Sequence, residues 1–480
     1  MNSIIKTLGI LITCFSFTMI PPIAIAFFYH ETTVFLFSEA LLATLIIGLL
    51  CWRPFMSVKT TLKTRDGFIV VTLFWVTISL FAAFPFFLSL SPSLSFTDAF
   101  FESVSGLTTT GATILAHLSH LSHSLLFYRQ ELHLLGGIGI VVLAVAVLPM
   151  LGVGGMQLYR AEIAGPMKQA KLTPRIAQTA KALWSIYAIL IVACAIAYYV
   201  SGMNLFDAIC ESFSTISTGG FSIHDSSFAY YHSNTIELLA VVFMWLGAVN
   251  FSLHFRLLRE RKLSAYWSDT ECRYYFWLII IVTIIVSAVL YTRHYYPPVD
   301  NFIHALFTVT AISTTTGLTI NNISHWPSMI PYLLVFLSII GGCAGSTAGG
   351  IKIIRALLLK EQAKRECYRL IHPRSVQSLQ LGSTTLPTSV IQTMWGYLVL
   401  FLVVFVLLLL ALLMTNIDFT TAFSALVACI SNTGAGIAGI AGNYSHLHDI
   451  TKWILIIAMF VGRLEIFTVI VLFMPAYWRR

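Results

Sequence analysis

The sequence predicts an all-α polytopic membrane protein in which four parallel span–loop–span repeats surround a pseudo-fourfold axis, preceded by two extra spans. Three observations predict it. Hydrophobic residues make up 58% of the 480-residue chain and charged residues only 10%, against roughly 25% charged in ordinary soluble domains. Ten apolar segments are long enough to cross a bilayer, a crossing that takes about 20 predominantly apolar residues. A small, hydroxyl-rich motif ending in glycine also returns four times: LTTTGAT at 107–113, STGGFS at 217–222, TTTGLT at 314–319 and SNTGAG at 431–436.

In chain order the apolar segments are 3–29, 33–52, 68–90, 132–152, 183–201, 236–258, 275–292, 328–359, 389–414 and 452–476. The first superficially resembles a secretory signal, with MNSIIK ahead of an apolar run and Ala24-Ile25-Ala26 behind it. The run continues through Phe27 and Phe28 and carries Pro21-Pro22, so an uncleaved first span is expected. Semi-polar segments at 97–107, 205–216, 301–313 and 418–430 are too short to cross and too apolar for ordinary loops. They read as re-entrant. The eight cysteines lie mostly in apolar runs without a CxxC pair, as small core residues do.

Charge sets the orientation. Of 28 Lys and Arg residues, 24 fall at Lys6, in 53–66, 153–182, 256–273 and 352–374, and at the C-terminus. Arg129, Arg293 and Lys452 fall on the other side, and Arg463 lies within a span. Such a bias places both termini and the basic loops in the cytoplasm. The net charge of +8 then follows from topology, and nucleic acid is no expected partner.

Aligned on Gly111, Gly220, Gly317 and Gly434, the copies are spaced by 109, 97 and 117 residues. Asp98-Ala99-Phe100-Phe101-Glu102-Ser103 matches Asp207-Ala208-Ile209-Cys210-Glu211-Ser212, and the later copies are looser. The units divide as 1–66 for the extra span pair, then 67–160, 161–262, 263–374 and 375–480. Each copy alone leaves a polar loop at membrane depth, which is tolerated only inside protein or against water. Four such loops on one axis can aim carbonyl oxygens inward, and each short helix ahead of them ends with its negative dipole end towards the centre. A dehydrated monovalent cation is what this chemistry suits. The expected architecture is four pore loops about one central pore.

The repeat, the TTTG/STGG/TTTG/SNTG series and the stretches LGGIGIVVLAVAVLPMLGVGGMQLYRAE (135–162), GGCAGSTAGGIKIIR (341–355) and VGRLEIFTV (461–469) resemble the bacterial Trk-type potassium uptake proteins over essentially the whole chain. The extra span pair favours the TrkH branch over the shorter KtrB branch. This resemblance implies potassium coordination by carbonyls of Thr109 and Thr110, Thr218 and Gly219, Thr315 and Thr316, and Asn432 and Thr433, with Gly111, Gly220, Gly317 and Gly434 closing the loops. Gly219 and Asn432 depart from a symmetric threonine ring, so modest selectivity is expected, with potassium and rubidium both passing.

Gly341, Gly342, Gly345, Gly349 and Gly350, with Ser346 and Thr347 among them, crowd the second span of the third unit. Glycine costs about 1 kcal/mol each in a helix interior. A broken helix facing the pore is expected, with close packing of small residues the alternative. The resemblance makes this break an intramembrane gate below the filter, followed directly by Lys352. Arg463, a charge costing at least ~2.5 kcal/mol within a span, is read as projecting into the cytoplasmic half of the path. A structural ion pair is the alternative, with Glu465 on another face.

No GxxxxGK[ST] loop is present, and no enzyme is expected. The basic 352–374 segment reads either as an amphipathic helix on membrane lipid or, by resemblance, as a docking face for cytosolic TrkA-type nucleotide-binding regulatory subunits. The resemblance also implies a homodimer in the bacterial inner membrane, no cofactor of its own, and potassium as the bound and transported ion. Two rival readings are disfavoured. His117, His120 and His123 have a metal-like spacing but sit in an extracytoplasmic loop without HExxH or cysteine. A carrier of inverted repeats is opposed by four copies in one orientation.

Overall fold

The computed structural model describes residues 2–57, 64–89, 93–142, 176–375, 380–381, 384–385 and 388–479. Part of the predicted span 132–152, the end of the 135–162 motif, most of the basic loop 153–182 and the boundary at 160 lie outside these residues. The described chain is helical apart from a two-residue pairing, Gln380–Leu381 with Thr384–Thr385.

The leading span pair is α1 (Asn2–Ser16), which runs through a short 3-10 turn into α2 (Ile20–Phe28), and α3 (Thr33–Trp52). Gly9 lies against Cys51 and Trp52, and Gly48 against Thr13; a Cβ on Gly48 would come 2.7 Å from the Thr13 backbone nitrogen. Small residues let these backbones close on one another.

Each later unit repeats one order. In the first, α4 (Thr64–Ala82) and the short α5 (Phe84–Leu88) precede α6 (Phe96–Leu107) and α7 (His123–Val142). The second contains α8 (Ile176–Val200), α9 (Leu205–Ile216), α10 (Asn234–Ala248) and α11 (Phe251–Glu260). The third runs from the short α12 (Ser264–Ser268) through α13 (Thr270–Thr292), α14 (Pro298–Ser313) and α15 (Met329–Ile340) to α16 (Ile353–Ile371). The fourth has α17 (Thr388–Leu413), α18 (Phe419–Ile430), α19 (Asp449–Arg463), α20 (Ile466–Phe473) and the terminal turn α21 (Pro475–Trp478).

The helices α6, α9, α14 and α18 fall on the four segments predicted as re-entrant. Three have 12 residues and α14 has 16, about 18 Å and 24 Å of helix, short of a bilayer's hydrocarbon core of about 30 Å. Their starts follow from capping: Ser95 accepts from Asp98 N, Asn204 from Asp207 N and Asp418 from Thr421 N, side-chain oxygens satisfying free helix donors.

Six described helices are long and apolar enough to cross a membrane, or eight if two bent pairs each count as one span. The sequence predicted ten. Of the other two, α7 is described only to Val142, and α15 stops after 12 residues at the glycine-rich break. Two predicted continuous spans are bent instead. The 236–258 run turns by 98° between α10 and α11, where Asn250 caps a new helix by accepting from Ser252 N. The 452–476 run turns by 111° at Leu464 and Glu465, with Glu465 at φ 59°.

Buried residues of the first and fourth units share one core, including Phe101, Leu132, Leu426 and Met459. Those of the second unit join Phe307 and Ala311 of the third. Exposed apolar side chains such as Val200, Ile284 and Leu402 line the outer surfaces of the spans, where lipid covers them.

Candidate functional site

All four motif loops have the same backbone. At the end of α6, Thr109 N bonds Gly106 O at 3.1 Å and Thr110 N bonds Ser105 O at 2.9 Å. The equivalents are Thr218 N to Thr215 O (3.3 Å) with Gly219 N to Ser214 O (2.8 Å), and Thr315 N to Ile312 O (3.1 Å) with Thr316 N to Ala311 O (2.8 Å). In the fourth, Asn432 N bonds Cys429 O at 3.2 Å and Thr433 N bonds Ala428 O at 2.8 Å. This is the Schellman ending, which asks for a left-handed residue, usually glycine. Here that residue is Thr109, Thr218, Thr315 or Asn432, with φ between 49° and 56°. A β-branched residue so placed is an outlier costing roughly 1–3 kcal/mol, and such strain persists only where the surroundings impose it.

Two residues on, Gly111, Gly220, Gly317 and Gly434 have φ of 77°, 91°, 75° and 69°. Their neighbours make a closed cycle. A Cβ on Gly111 would strike Gly219 O, one on Gly220 would strike Thr316 O, one on Gly317 would strike Thr433 O, and one on Gly434 would strike Thr110 O. Each loop therefore leans on the carbonyl of the next, and the last leans on the first. Only glycine fits at these four positions. The twelve predicted coordinating and closing residues thus come together.

Helices support the ring from behind. Gly136 on α7 abuts Leu107 O, Gly247 on α10 abuts Ile216 O, and Gly462 on α19 abuts Ile430 O. Hydroxyls brace it: Thr108 and Thr110 lie 2.7 Å apart, as do Thr314 and Thr316, and Asn432 Nδ2 donates to Thr110 Oγ1 at 3.0 Å. Glu102 accepts from Thr113 Oγ1 (3.0 Å) and Ile114 N (3.0 Å) where the first loop leaves the ring, and Glu211 accepts from Ser222 Oγ (2.6 Å) and Ile223 N (3.1 Å) at the matching place in the second.

On the side the chain takes after the glycines lies a cavity of about 460 Å³, lined by all four glycines together with Thr113, Ser222, Thr319 and Tyr444. The opposite side is filled. Between α15 and α16 the chain leaves helix over 341–352, with Gly341, Gly345, Gly350 and Lys352 at positive φ. Gly349 N donates to Thr315 Oγ1 at 2.6 Å, Gly350 N to Ser431 O at 3.1 Å, and Thr218 Oγ1 to Thr347 Oγ1 at 3.2 Å. The break thus contacts three of the four loops. Gly345 and Ser346 do not reach them: Gly345 O accepts from Phe251 N at 3.1 Å, and Ser346 bonds Cys343 O at 2.6 Å. The Lys352 ammonium reaches Ala348 O.

Arg463 closes this arrangement. Its Nη1 donates to Thr347 O at 2.9 Å, while Nε and Nη2 have no hydrogen bond among the described residues. Glu465, set aside as its partner on the sequence, pairs instead with Arg355 at 3.1 Å, and Arg355 also lies over the Tyr397 ring at 4.0 Å.

Other buried groups escaped the sequence reading. The sequence counts Arg129 among the outer-side charges and begins the fourth span at 132. In fact α7 begins at His123, and Arg129 is 1% exposed and paired with Glu102 at 2.9 Å. Lys452, also counted as an outer charge, is buried against Asp98 at 2.6 Å. The matching Glu in the Asp-Ala-x-x-Glu-Ser segments was the available signal, since a carboxylate inside a membrane calls for a partner. Of the three loop histidines, His117 carries a left-handed φ of 57°, and His123 donates its backbone N–H to Glu31 at 2.6 Å and stacks on Tyr29.

Apolar helices and strained loops buried at their centre define a multi-pass membrane protein built for transport. The comparisons give the class its family. The TrkH family profile, described as a cation transport protein, matches residues 34–480. The Trk system potassium uptake protein TrkH of Vibrio parahaemolyticus serotype O3:K6 is 46% identical over 481 residues, covering 100% of this chain and 99% of the relative. That of Escherichia coli strain K12 is 46% identical over 479 residues, again covering 100% and 99%. The Escherichia coli K12 protein TrkG is 40% identical over 471 residues, covering 98% and 97%. The solved potassium transporter TrkH from Vibrio parahaemolyticus superposes with a TM-score of 0.93 at 44% identity, over 100% of this chain and 99% of that one. The chain belongs to the TrkH family and is a transporter, not an enzyme.

Proposed function

We propose that this chain is the potassium-translocating subunit of a bacterial Trk-type uptake system. Potassium, and rubidium with it, sheds water in the cavity and passes a single filter. Carbonyls of Thr109, Thr110, Thr218, Gly219, Thr315, Thr316, Asn432 and Thr433 line that filter, and Gly111, Gly220, Gly317 and Gly434 close it. The observation that carries this reading is the closed cycle of four glycine–carbonyl contacts between strained loops. Along each loop φ is positive, then not, then positive again, and such alternation turns successive carbonyls to one side. Carbonyl rings of this kind replace a cation's hydration shell. The units 67–160, 161–262, 263–374 and 375–480 are then four copies around one pore.

The break from Gly345 to Lys352, with Ser346, Thr347, Gly349 and Gly350, is the gate, and Arg463 holds it shut through Thr347 O. A cation drawn inward gains about 2.3 kcal/mol per 100 mV, so a membrane potential alone drives accumulation and the chain needs no nucleotide of its own. The basic face of α16 fits a cytosolic TrkA-type nucleotide-binding partner, and the family resemblance supports a homodimer in the inner membrane with both termini cytoplasmic.

The test is uptake of radiolabelled rubidium into proteoliposomes holding the purified chain, inside negative, against competing K⁺, Na⁺ and Li⁺. Wild type would be compared with Gly317→Ser and Arg463→Ala. Competition by potassium, a changed ion preference with the glycine variant and faster uptake with the arginine variant are expected. Uptake indifferent to Gly317→Ser would remove the four loops from the role of filter.

A further inference from the structure

We infer that His133 is a positioning residue for the second loop, filling the space of the threonine side chain that Gly219 lacks and so setting the ion preference of the ring. The inference rests on the proposed filter. In the other loops the residue before the closing glycine is Thr110, Thr316 or Thr433, and the second loop alone has glycine there. Thr110 and Thr316 each brace their own loop through a second threonine at 2.7 Å. Gly219 can make no such brace.

The vacant space is occupied. A Cβ built on Gly219 would fall on the ring of His133, closest to Nδ1 and within 2.6 Å of Cε1. His133 is fully buried and stacks on Phe221 at 4.3 Å with 16° between the planes, and the Arg129 guanidinium lies over the same Phe221 ring at 4.3 Å. Neither ring nitrogen has a hydrogen-bond partner among the described residues. A buried polar ring left unbonded is costly, so packing against Gly219 and Phe221 is what fixes it.

The repeat indicates that this is a substitution in kind. On α7, Gly136 abuts the first loop and His133, three residues earlier, reaches the second. On α10, Gly247 abuts the second loop, with Met244 three residues earlier; on α19, Gly462 abuts the fourth, with Met459 three residues earlier. Both methionines are buried. In the cyclic order of the loops those two helices look towards the third and first loops, which carry Thr316 and Thr110. Methionine goes with threonine twice, and histidine goes with glycine once. Gly219 lies outside the left-handed region, so its backbone accepts a threonine, and the three atoms nearest to an added Cβ all belong to His133.

The experiment is a cycle of Gly219→Thr, His133→Met and the double variant His133→Met/Gly219→Thr in the full-length chain, with His133→Ala measured beside it. It measures rubidium uptake in proteoliposomes with potassium and sodium as competitors, and thermal unfolding in detergent beside it. Gly219→Thr is expected to cut uptake about tenfold or more by overpacking. His133→Ala is expected to strengthen sodium competition about threefold by loosening one side of the carbonyl ring. The double variant should return both to within about threefold of wild type, a coupling that independent sites do not produce. A double variant no better than Gly219→Thr alone would overturn the inference, as would a His133→Ala protein that is less stable but unchanged in ion preference. Gly317→Ser, on a loop His133 does not touch, runs in parallel. If it leaves ion preference unchanged the filter reading fails; if it shifts preference while the His133 cycle is additive, only this inference fails.

Discussion

The two sides of the loop ring are built differently. Beyond the four glycines the chain leaves about 460 Å³ open, edged by polar side chains such as Thr113, Asp225 and Asn322 and by apolar ones such as Phe221 and Ile440. Before them it packs the 341–352 break, whose Thr347 is 0% exposed and whose backbone donates to Thr315 and Ser431. On the reading proposed above, the ring is entered from the open side, and passage from the other is limited by hydrogen bonds of about 1 kcal/mol each. A barrier made of a few such bonds is high enough to hold a segment and low enough to release it.

The largest effect should come from the ring that divides the two sides. Gly434→Ala places a Cβ against Thr110 O at a φ of 69°. At about 3 kcal/mol of strain and displacement, rubidium uptake in proteoliposomes should fall about a hundredfold. Uptake within twofold of wild type would mean that the loops flex freely and that the contrast between the sides matters little.

A smaller effect of opposite sign is expected on the packed side. Thr347→Val keeps the volume but removes the hydroxyl that donates to Gly247 O at 3.0 Å and Ile216 O at 3.1 Å. Losing about 1–2 kcal/mol from the closed arrangement should raise uptake by the chain alone about tenfold. Reduced uptake would show that the segment supports the loops and does not obstruct them.

The smallest effect is expected at the outer rim. Glu31 accepts from His123 N, Ser124 N and Ser124 Oγ at the start of α7. Burial raises its pKa, but these hydrogen bonds from Ser124 and His123 outweigh it and hold the carboxyl below its ordinary value. A depressed folded pKa means stability that is present above the unfolded pKa and lost as pH falls through the folded one. Glu31→Gln should therefore cost about 1 kcal/mol or less near neutrality without changing uptake. The difference in thermal unfolding from wild type should vanish in acid. A difference that grew in acid would contradict the capping role.

Legibility followed the same division. The loops could be read because a polar motif inside apolar sequence has few explanations, and four copies removed most of them. The glycine break could be read because five glycines do not sustain a helix. The bend at Glu465 was harder to read, since its local mark is the single Gly462 within a long apolar run and the partner of Glu465, Arg355, lies 110 residues away. The bend at Asn250 carried a local signal, an asparagine cap inside an apolar run, hidden by the run's length. The burial of Arg129 and Lys452 went unread for one reason: a buried charge looks like a loop charge until its partner is known. Inside a membrane, hydropathy locates spans well and paired charges poorly.

The cycle of glycine contacts has a consequence for descent. If the units arose by duplication, their loops were never free to diverge one at a time, because the closing glycine of each is fitted to the carbonyl of its neighbour. Change would have to be accepted in pairs across a seam, bulk gained on one side being matched by bulk lost on the other. His133 beside Gly219 has the form of one such exchange, made at a single seam while the other three kept their threonines.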